Sequence, residues 1–599
     1  MISKQKKKRE MLQWHSHRNF IMALICWTVG LGNCWRFPVA ASLDGGGAFL
    51  LPYLLETFVI AIPFTYMELG LGQFSNRGPV AVWALCPIWK GVGNASITLM
   101  LFLMVYYNII CSYLIFFFFA SMSTVVPWSV CDPSWAKPNC FTFEDNSSIR
   151  LNCTEKYGAD FCNNQHWENS AVQYWKTKVL DRVATEGKLG RIRWEIVYCS
   201  STTATLVFLL NCKGTKSLEK VVPFFSIFPY LELIALLFVS LIDPGSSRGI
   251  RSFMMPDFVK LWTSSPWRVA FEQILFSIGL GLGGLTTLGS HCHFRNPIHV
   301  EAIAINLIDI ASSLCYGIMI FNCLGALSYD LNIPMEEVMA WPDTLLFAKI
   351  PLSLNYLPGI PQLWGVLFYS SIYIIGLRSQ GLMMATVLST IYDHYPRMLK
   401  YTFQCSAVCS LLIVVLGYPF LTQAGSILLN YVDNIIVGPT LLMVCFLETA
   451  GVICIYGMTH FTDDMHFMLG FRASMYWQLL WSLSPLFLGG MFIHSVYNFT
   501  TSEADRPTLM WMRAMQWLIF SIPFLLLIIG ITTHVIKKRK KLKVIQLFHP
   551  SPNWGPRDPI LKKSREMFTA HSMTKEYMYR QNRMKNKIKI QNQQYDEFE

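Results

Sequence analysis

Apolar residues in this chain come in long runs rather than in short periodic stripes. Twelve runs approach or exceed the ~20 residues a helix needs to cross a bilayer. They lie near 17–40, 47–72, 92–122, 195–211, 221–242, 266–290, 300–328, 362–392, 401–420, 424–454, 475–496 and 513–536. The pattern predicts an all-α membrane protein with twelve transmembrane helices. Two runs are interrupted. The first contains Thr28-Val29-Gly30-Leu31-Gly32-Asn33-Cys34-Trp35-Arg36-Phe37-Pro38, and the sixth contains Ser277-Ile278-Gly279-Leu280-Gly281-Leu282-Gly283-Gly284. Glycines this close together make a helix easy to break. Unwound backbone at membrane depth is tolerated only where it is buried in protein or lines a cavity. Close helix packing is the plainer reading of either cluster alone. Both together, at matching places in two five-span halves, predict an inverted repeat with a binding site at its interface.

Composition agrees: of 599 residues 53% are hydrophobic and 14% charged, too apolar for an ordinary soluble protein. The formal charge of +12 gathers in a leader (1–16) and at the start of a tail (537–599), with Lys213, Lys216 and Lys220 after the fourth run. Basic residues flank spans on the cytoplasmic side. Both termini are therefore expected in the cytosol, and the charge is read as membrane-flanking rather than nucleic-acid-binding. The leader lacks a small-residue cleavage site, so no cleaved signal is expected. The domain between, 17–536, carries a loop at 123–194 that should lie outside. That loop holds Cys131, Cys140, Cys153 and Cys162, with glycosylation sequons at Asn146 and Asn152; a third sequon, at Asn498, falls in a later outer loop. Cysteines beside sequons suit an oxidising exterior and a disulfide. The tail beyond about 545 is polar, basic and aperiodic, and is expected to be largely disordered. No nucleotide loop or nucleophile constellation points to an enzyme. His291-Cys292-His293 has no second pair to complete a metal site.

Further motifs stand in these runs: Gly45-Gly46-Gly47-Ala48-Phe49, Tyr66-Met67-Glu68-Leu69, Tyr106-Tyr107-Asn108, Pro127-Trp128 before Cys131, and Gln273-Ile274-Leu275-Phe276-Ser277. With Gly32-Asn33-Cys34-Trp35-Arg36-Phe37-Pro38 they make the chain resemble the neurotransmitter:sodium symporter family, relatives of the bacterial leucine transporter, over residues 17–536. The resemblance implies that transporter's five-plus-five inverted repeat, with helices 1 and 6 broken. It implies a secondary transporter working by alternating access, in the plasma membrane, with the outer disulfide at Cys131 and Cys140. Gly30 stands where amine-carrying relatives place an aspartate, so the expected substrate is an amino acid or similar small carboxylate. Gly30, Leu31, Gly32, Leu103, Tyr107, Phe276 and Leu282 would touch it. Arg36, Asp433 and Phe276 would form the outer gate. Thr28, Asn33, Ser277 and Asp309 match the first sodium site, and Tyr66, Gln273, Ser277 and Ser313 the chloride site.

Two positions depart from the family. The second sodium site would use the carbonyls of Cys26, Val29 and Ile375 and the hydroxyl of Ser379, but Arg378 stands where an acid belongs. A guanidinium has five donors, no acceptor and a permanent charge, so it cannot ligate a cation. Asp309 replaces an asparagine shared by the first sodium and chloride sites, and its carboxylate would repel chloride. The two fixed charges are expected to stand in for bound ions, weakening or abolishing sodium and chloride dependence; sodium at the first site is the ion the remaining side chains still suit. Neighbouring Gln380 and Met383 also depart from the small residues usual there. No cofactor and no nucleic-acid partner is expected, only a small carboxylate and the bilayer. The alternative is a non-transporting relative serving as a regulatory, chaperone or receptor-like partner.

Overall fold

The computed structural model describes residues 14, 16–44, 46–142, 168–182, 189–339, 345–504, 510–538, 548–568, 578 and 581. Among these, ten helices are long and apolar enough to cross a membrane: His17–Leu43, Gly47–Ser75, Pro87–Ser121, Lys216–Ile242, Ile298–Asp330, Pro361–His394, Pro396–Leu421, Gly425–Leu469, Met475–Thr501 and Met510–Ile536. The other two expected runs are helical as well. Trp194–Asn211 is an 18-residue helix. The sixth run is cut into Ser265–Ile278 and Gly284–Ser290.

Both breaks have local causes. In the first helix, Ser16 caps the start by accepting the Asn19 amide at 3.2 Å. Helix His17–Thr28 then stops because Val29 turns extended (φ −82°, ψ 97°). The chain resumes as a wide turn at Gly32–Arg36 and a helix at Phe37–Leu43. In the sixth run, Gly279, Gly281 and Gly283 adopt φ of 70°, 71° and 78°, left-handed values that favour glycine. Trp27 staples this second break to the first helix: its indole N–H donates to the Ile278 carbonyl at 2.9 Å. A Cβ at Gly284 would come within 2.1 Å of the same ring. Glu68 holds the break from the other side, accepting the Gly281 amide at 2.6 Å.

In the loop after helix Pro87–Ser121, Cys131 is disulfide-bonded to Cys140. Cys140–Phe141 pairs in parallel with Glu168–Asn169. Cys153, Cys162, Asn146 and Asn152 lie outside the described residues. Asn498 is on a helix rather than in a loop, because Met475–Ala504 continues through its sequon. Among the described residues, the basic tail contains one docked stretch. Asp558 caps helix Pro559–Glu566, and the Trp554 ring packs on Phe74 and Tyr456 at 5.6 and 5.8 Å. Arg557 pairs with Asp393 at 3.1 Å and Arg565 with Asp464 at 2.8 Å.

Candidate functional site

The two breaks face one another across a small cavity of about 20 Å³, room for a water-sized group. Gly30, Leu31, Gly32, Leu103, Tyr107, Phe276 and Leu282 all line it, together with Trp27, Ser277, Gly279, Ser379 and Met383. Its polar end is held by exchanged hydrogen bonds. The Leu31 amide donates to the Tyr107 hydroxyl at 3.1 Å, and the Gly30 amide to Asn33 Oδ1 at 2.8 Å. A Cβ at Gly30 would sit 3.3 Å from Ser379 Oγ and 3.4 Å from the Tyr107 hydroxyl, so a larger residue there would crowd both.

On one side of the cavity Arg36 forms an ion pair with Asp433. The guanidinium carbon lies 5.4 Å from the centre of the Phe276 ring. Tyr106 donates to the other Asp433 oxygen at 3.0 Å. Arg36 thus meets both of the other expected gate residues, Asp433 and Phe276, and Tyr106 joins them through Asp433. Nothing in the local pattern separates the role of Tyr106 from that of adjacent Tyr107; only their different directions on the helix, about 100° apart, do.

Asp309 is 1% exposed and surrounded by donors. Its Oδ1 accepts from Asn33 Nδ2 at 2.6 Å and from Ser277 Oγ at 2.9 Å, and its Oδ2 from the Tyr53 hydroxyl at 3.3 Å. Ser313 joins the same cluster, accepting from Asn33 Nδ2 at 2.8 Å and bonded to Tyr53 at 3.2 Å. Gln273 reaches the break itself, donating to the Gly32 carbonyl at 2.8 Å. One expected member lies elsewhere. Tyr66 packs against Trp477 and Trp481, each at 5.2 Å between ring centres, and Tyr53 takes the place expected for it. The Thr28 hydroxyl turns back on its own helix and donates to the Leu24 carbonyl at 3.2 Å, so it is not among the groups bonded to Asp309.

Arg378 is buried, 2% exposed. Its Nη2 donates to the Val29 carbonyl at 2.9 Å and its Nη1 to the Phe225 carbonyl at 2.5 Å. Ser379 Oγ donates to the Cys26 carbonyl at 3.3 Å. The Cys26 and Val29 carbonyls are free because the first helix breaks where it does. An unbroken helix would bond Cys26 O to the Gly30 amide and Val29 O to the Asn33 amide. Here the Gly30 amide goes to Asn33 Oδ1 and the Asn33 amide to the Gly30 carbonyl. The carbonyls expected to hold a cation are therefore held by side-chain donors of helix Pro361–His394. Ile375 is buried one turn earlier on that helix. No ion pair joins Arg378 to Asp309 among the described residues; each has its own set of partners.

Comparison with known proteins matches residues 10–541 to the model of the sodium:neurotransmitter symporter family. The chain is 31% identical to sodium- and chloride-dependent glycine transporter 2 of Xenopus laevis, over 91% of this chain and 72% of that protein. It is 30% identical to the mouse (Mus musculus) sodium- and chloride-dependent neutral and basic amino acid transporter B(0+), over 93% of this chain and 91% of the relative. It is 32% identical to the mouse sodium- and chloride-dependent creatine transporter 1, over 84% of this chain and 80% of the relative.

Proposed function

Because the chain belongs to the sodium:neurotransmitter symporter family, a family of transporters rather than enzymes, we propose that it moves an amino acid or related small carboxylate by alternating access, with Arg378 and Asp309 standing in for bound ions. The fold in this reading is the leucine-transporter type: twelve spans in two inverted halves, with both termini in the cytosol. Two broken helices meeting at one cavity support it, as does the family match. The substrate carboxylate would take the Leu31 amide and the Tyr107 hydroxyl, now bonded to each other. Backbone amides at an exposed helix end suit an anion. The named relatives carry glycine, other amino acids and creatine, which supports a small zwitterion without naming it.

One observation carries the ion reading: Arg378 donates to the Val29 carbonyl, a group the family's second sodium would use. A cation there would meet a permanent positive charge and donors in place of acceptors. Around Asp309 a fixed carboxylate already satisfies Asn33, Ser277 and Tyr53, and its charge opposes an anion beside it.

The test is ligand binding to the purified full-length protein, read by thermal shift over a panel of neutral amino acids, creatine-like and γ-amino carboxylates. Each is run in sodium chloride, in choline chloride and in sodium gluconate. A ligand that binds only the folded state raises its stability. The expected result is a stabilising ligand whose effect is the same in all three salts. A ligand effect that requires sodium, and is lost when Arg378→Asp is made, would overturn the ion reading. The non-transporting reading is favoured by one feature, a cavity of only about 20 Å³; it requires that no member of the panel stabilises the protein.

A further inference from the structure

The Val29 carbonyl is freed by the break in the first helix. The second acceptor of Arg378 is freed in a different way. Phe225 lies in helix Thr215–Ile242, which continues through Pro223 and Pro229. In an unbroken α-helix its carbonyl would accept from the amide four residues on, at position 229. Proline has no amide hydrogen there, and its ring crowds the carbonyl of the residue four back. The open carbonyl receives Arg378 Nη1 at 2.5 Å.

We infer that Pro229 is a positioning residue for Arg378: by leaving the Phe225 carbonyl without a helical partner it supplies half of a two-carbonyl cradle, shared between the first and fifth helices, that fixes the guanidinium over the break. The inference rests on the reading that Arg378 acts at the former sodium site. Two orphan acceptors with different causes meet one planar fork of donors, the geometry in which arginine differs from lysine. With both satisfied, Arg378 ties the end of helix His17–Thr28 to helix Thr215–Ile242. A second tie lies beside it, Cys26 Sγ to Ser226 Oγ at 3.0 Å. An ion bound at such a place can leave; a side chain anchored on its own helix cannot. For the first helix to part from the fifth, the guanidinium must give up an acceptor.

Cys26 is fully buried at this junction and reports on it directly. The experiment measures N-ethylmaleimide labelling of native Cys26 in the full-length protein by mass spectrometry, with the unfolding midpoint of each variant recorded alongside. Pro229→Ala restores an amide for Phe225. Labelling should rise about tenfold or more, the change in opening equilibrium expected when a charged donor loses a hydrogen bond. Pro223→Ala makes the same chemical change on the same helix but frees no carbonyl that Arg378 uses, and should leave the rate unchanged. In an Arg378→Gln background, Pro229→Ala should add nothing. Arg378→Lys keeps the charge but loses the fork; it should label like Pro229→Ala and supplies the same comparison if that variant does not fold. An equal rise from both proline changes, or a full effect of Pro229→Ala without Arg378, would overturn the inference. No sodium or substrate enters the measurement. Labelling as expected together with a steep sodium requirement would keep Pro229 in its role and reject the ion reading alone.

Discussion

At the scale of single residues, this site works by moving hydrogen bonds that helices normally keep for themselves. Cys26 O, Val29 O and Phe225 O are each stripped of an amide partner, and each is met by a donor on helix Pro361–His394. A hydrogen bond to a charged group contributes about 1.5–3 kcal/mol, and leaving a buried acceptor unmet forfeits its hydration as well. Asp309 is the mirror case, an acceptor among donors. Replacing it with asparagine, Asp309→Asn, removes the charge and keeps the size; one oxygen can still accept from Asn33 and Ser277, while the amide nitrogen facing Tyr53 becomes a donor. Ligand binding to this variant should become dependent on chloride, checked by thermal shift in chloride against gluconate; equal shifts in the two salts would show that the carboxylate does not occupy the anion's role. Arg378 was legible in the sequence because a charge at membrane depth needs an explanation. The Tyr53 position was not. Tyr53 and Tyr66 share one apolar run, and 13 residues of helix separate them by about 20 Å along the axis. The hydroxyl that points to Asp309 is decided by which helix packs alongside, which a pattern of apolar positions does not contain.

At the scale of elements, the breaks were legible and their staples were not. Gly279, Gly281 and Gly283 announce a chain that leaves the right-handed region, and it does so at all three. Trp27 and Glu68, which hold the break in place, are more than 200 residues distant from it in sequence and read as ordinary core until the helices are assembled. Gly281 is constrained in three ways. It has φ of 71°, a Cβ there would lie 2.5 Å from Cys445 Sγ, and its amide serves Glu68. Gly281→Ala should therefore cost about 1–3 kcal/mol from backbone strain alone, seen as a lower unfolding midpoint. Gly490, with nothing within 4 Å of its Cβ position, is the control that should change little under the same replacement.

At the scale of the whole molecule, the end of the transporter nearest the N-terminus closes around His291. Its carbonyl accepts the Trp14 amide at 3.2 Å, and its Nε2 bonds Ser389 Oγ at 3.3 Å. Burial pulls its imidazole down to about 4, against a smaller upward pull from Asp393. A histidine held neutral in the fold and free to protonate when unfolded adds stability above its ordinary value near 6.5. That stability is lost as pH falls from there through about 4. The unfolding midpoint should decline across this window, and His291→Gln should flatten the decline; an unchanged slope would mean that other groups set the acid limit. The count of apolar runs foretold the helical architecture because bilayer thickness imposes a length that any sequence must show. It led to the expectation of a largely disordered tail and did not reveal the docked stretch, which depends on Trp554, Arg557 and Arg565 meeting Phe74, Asp393 and Asp464, far away in sequence.

That docking has a practical corollary. Residues 551–566 touch the helix ends through Trp554, Arg557 and Arg565, so an antibody whose epitope includes these three contacts would compete with docking and bind best to any molecule whose tail has lifted. Such a reagent would count lifted tails in a population, and a fragment fused behind residue 568 would be tethered beside those helix ends rather than swinging free.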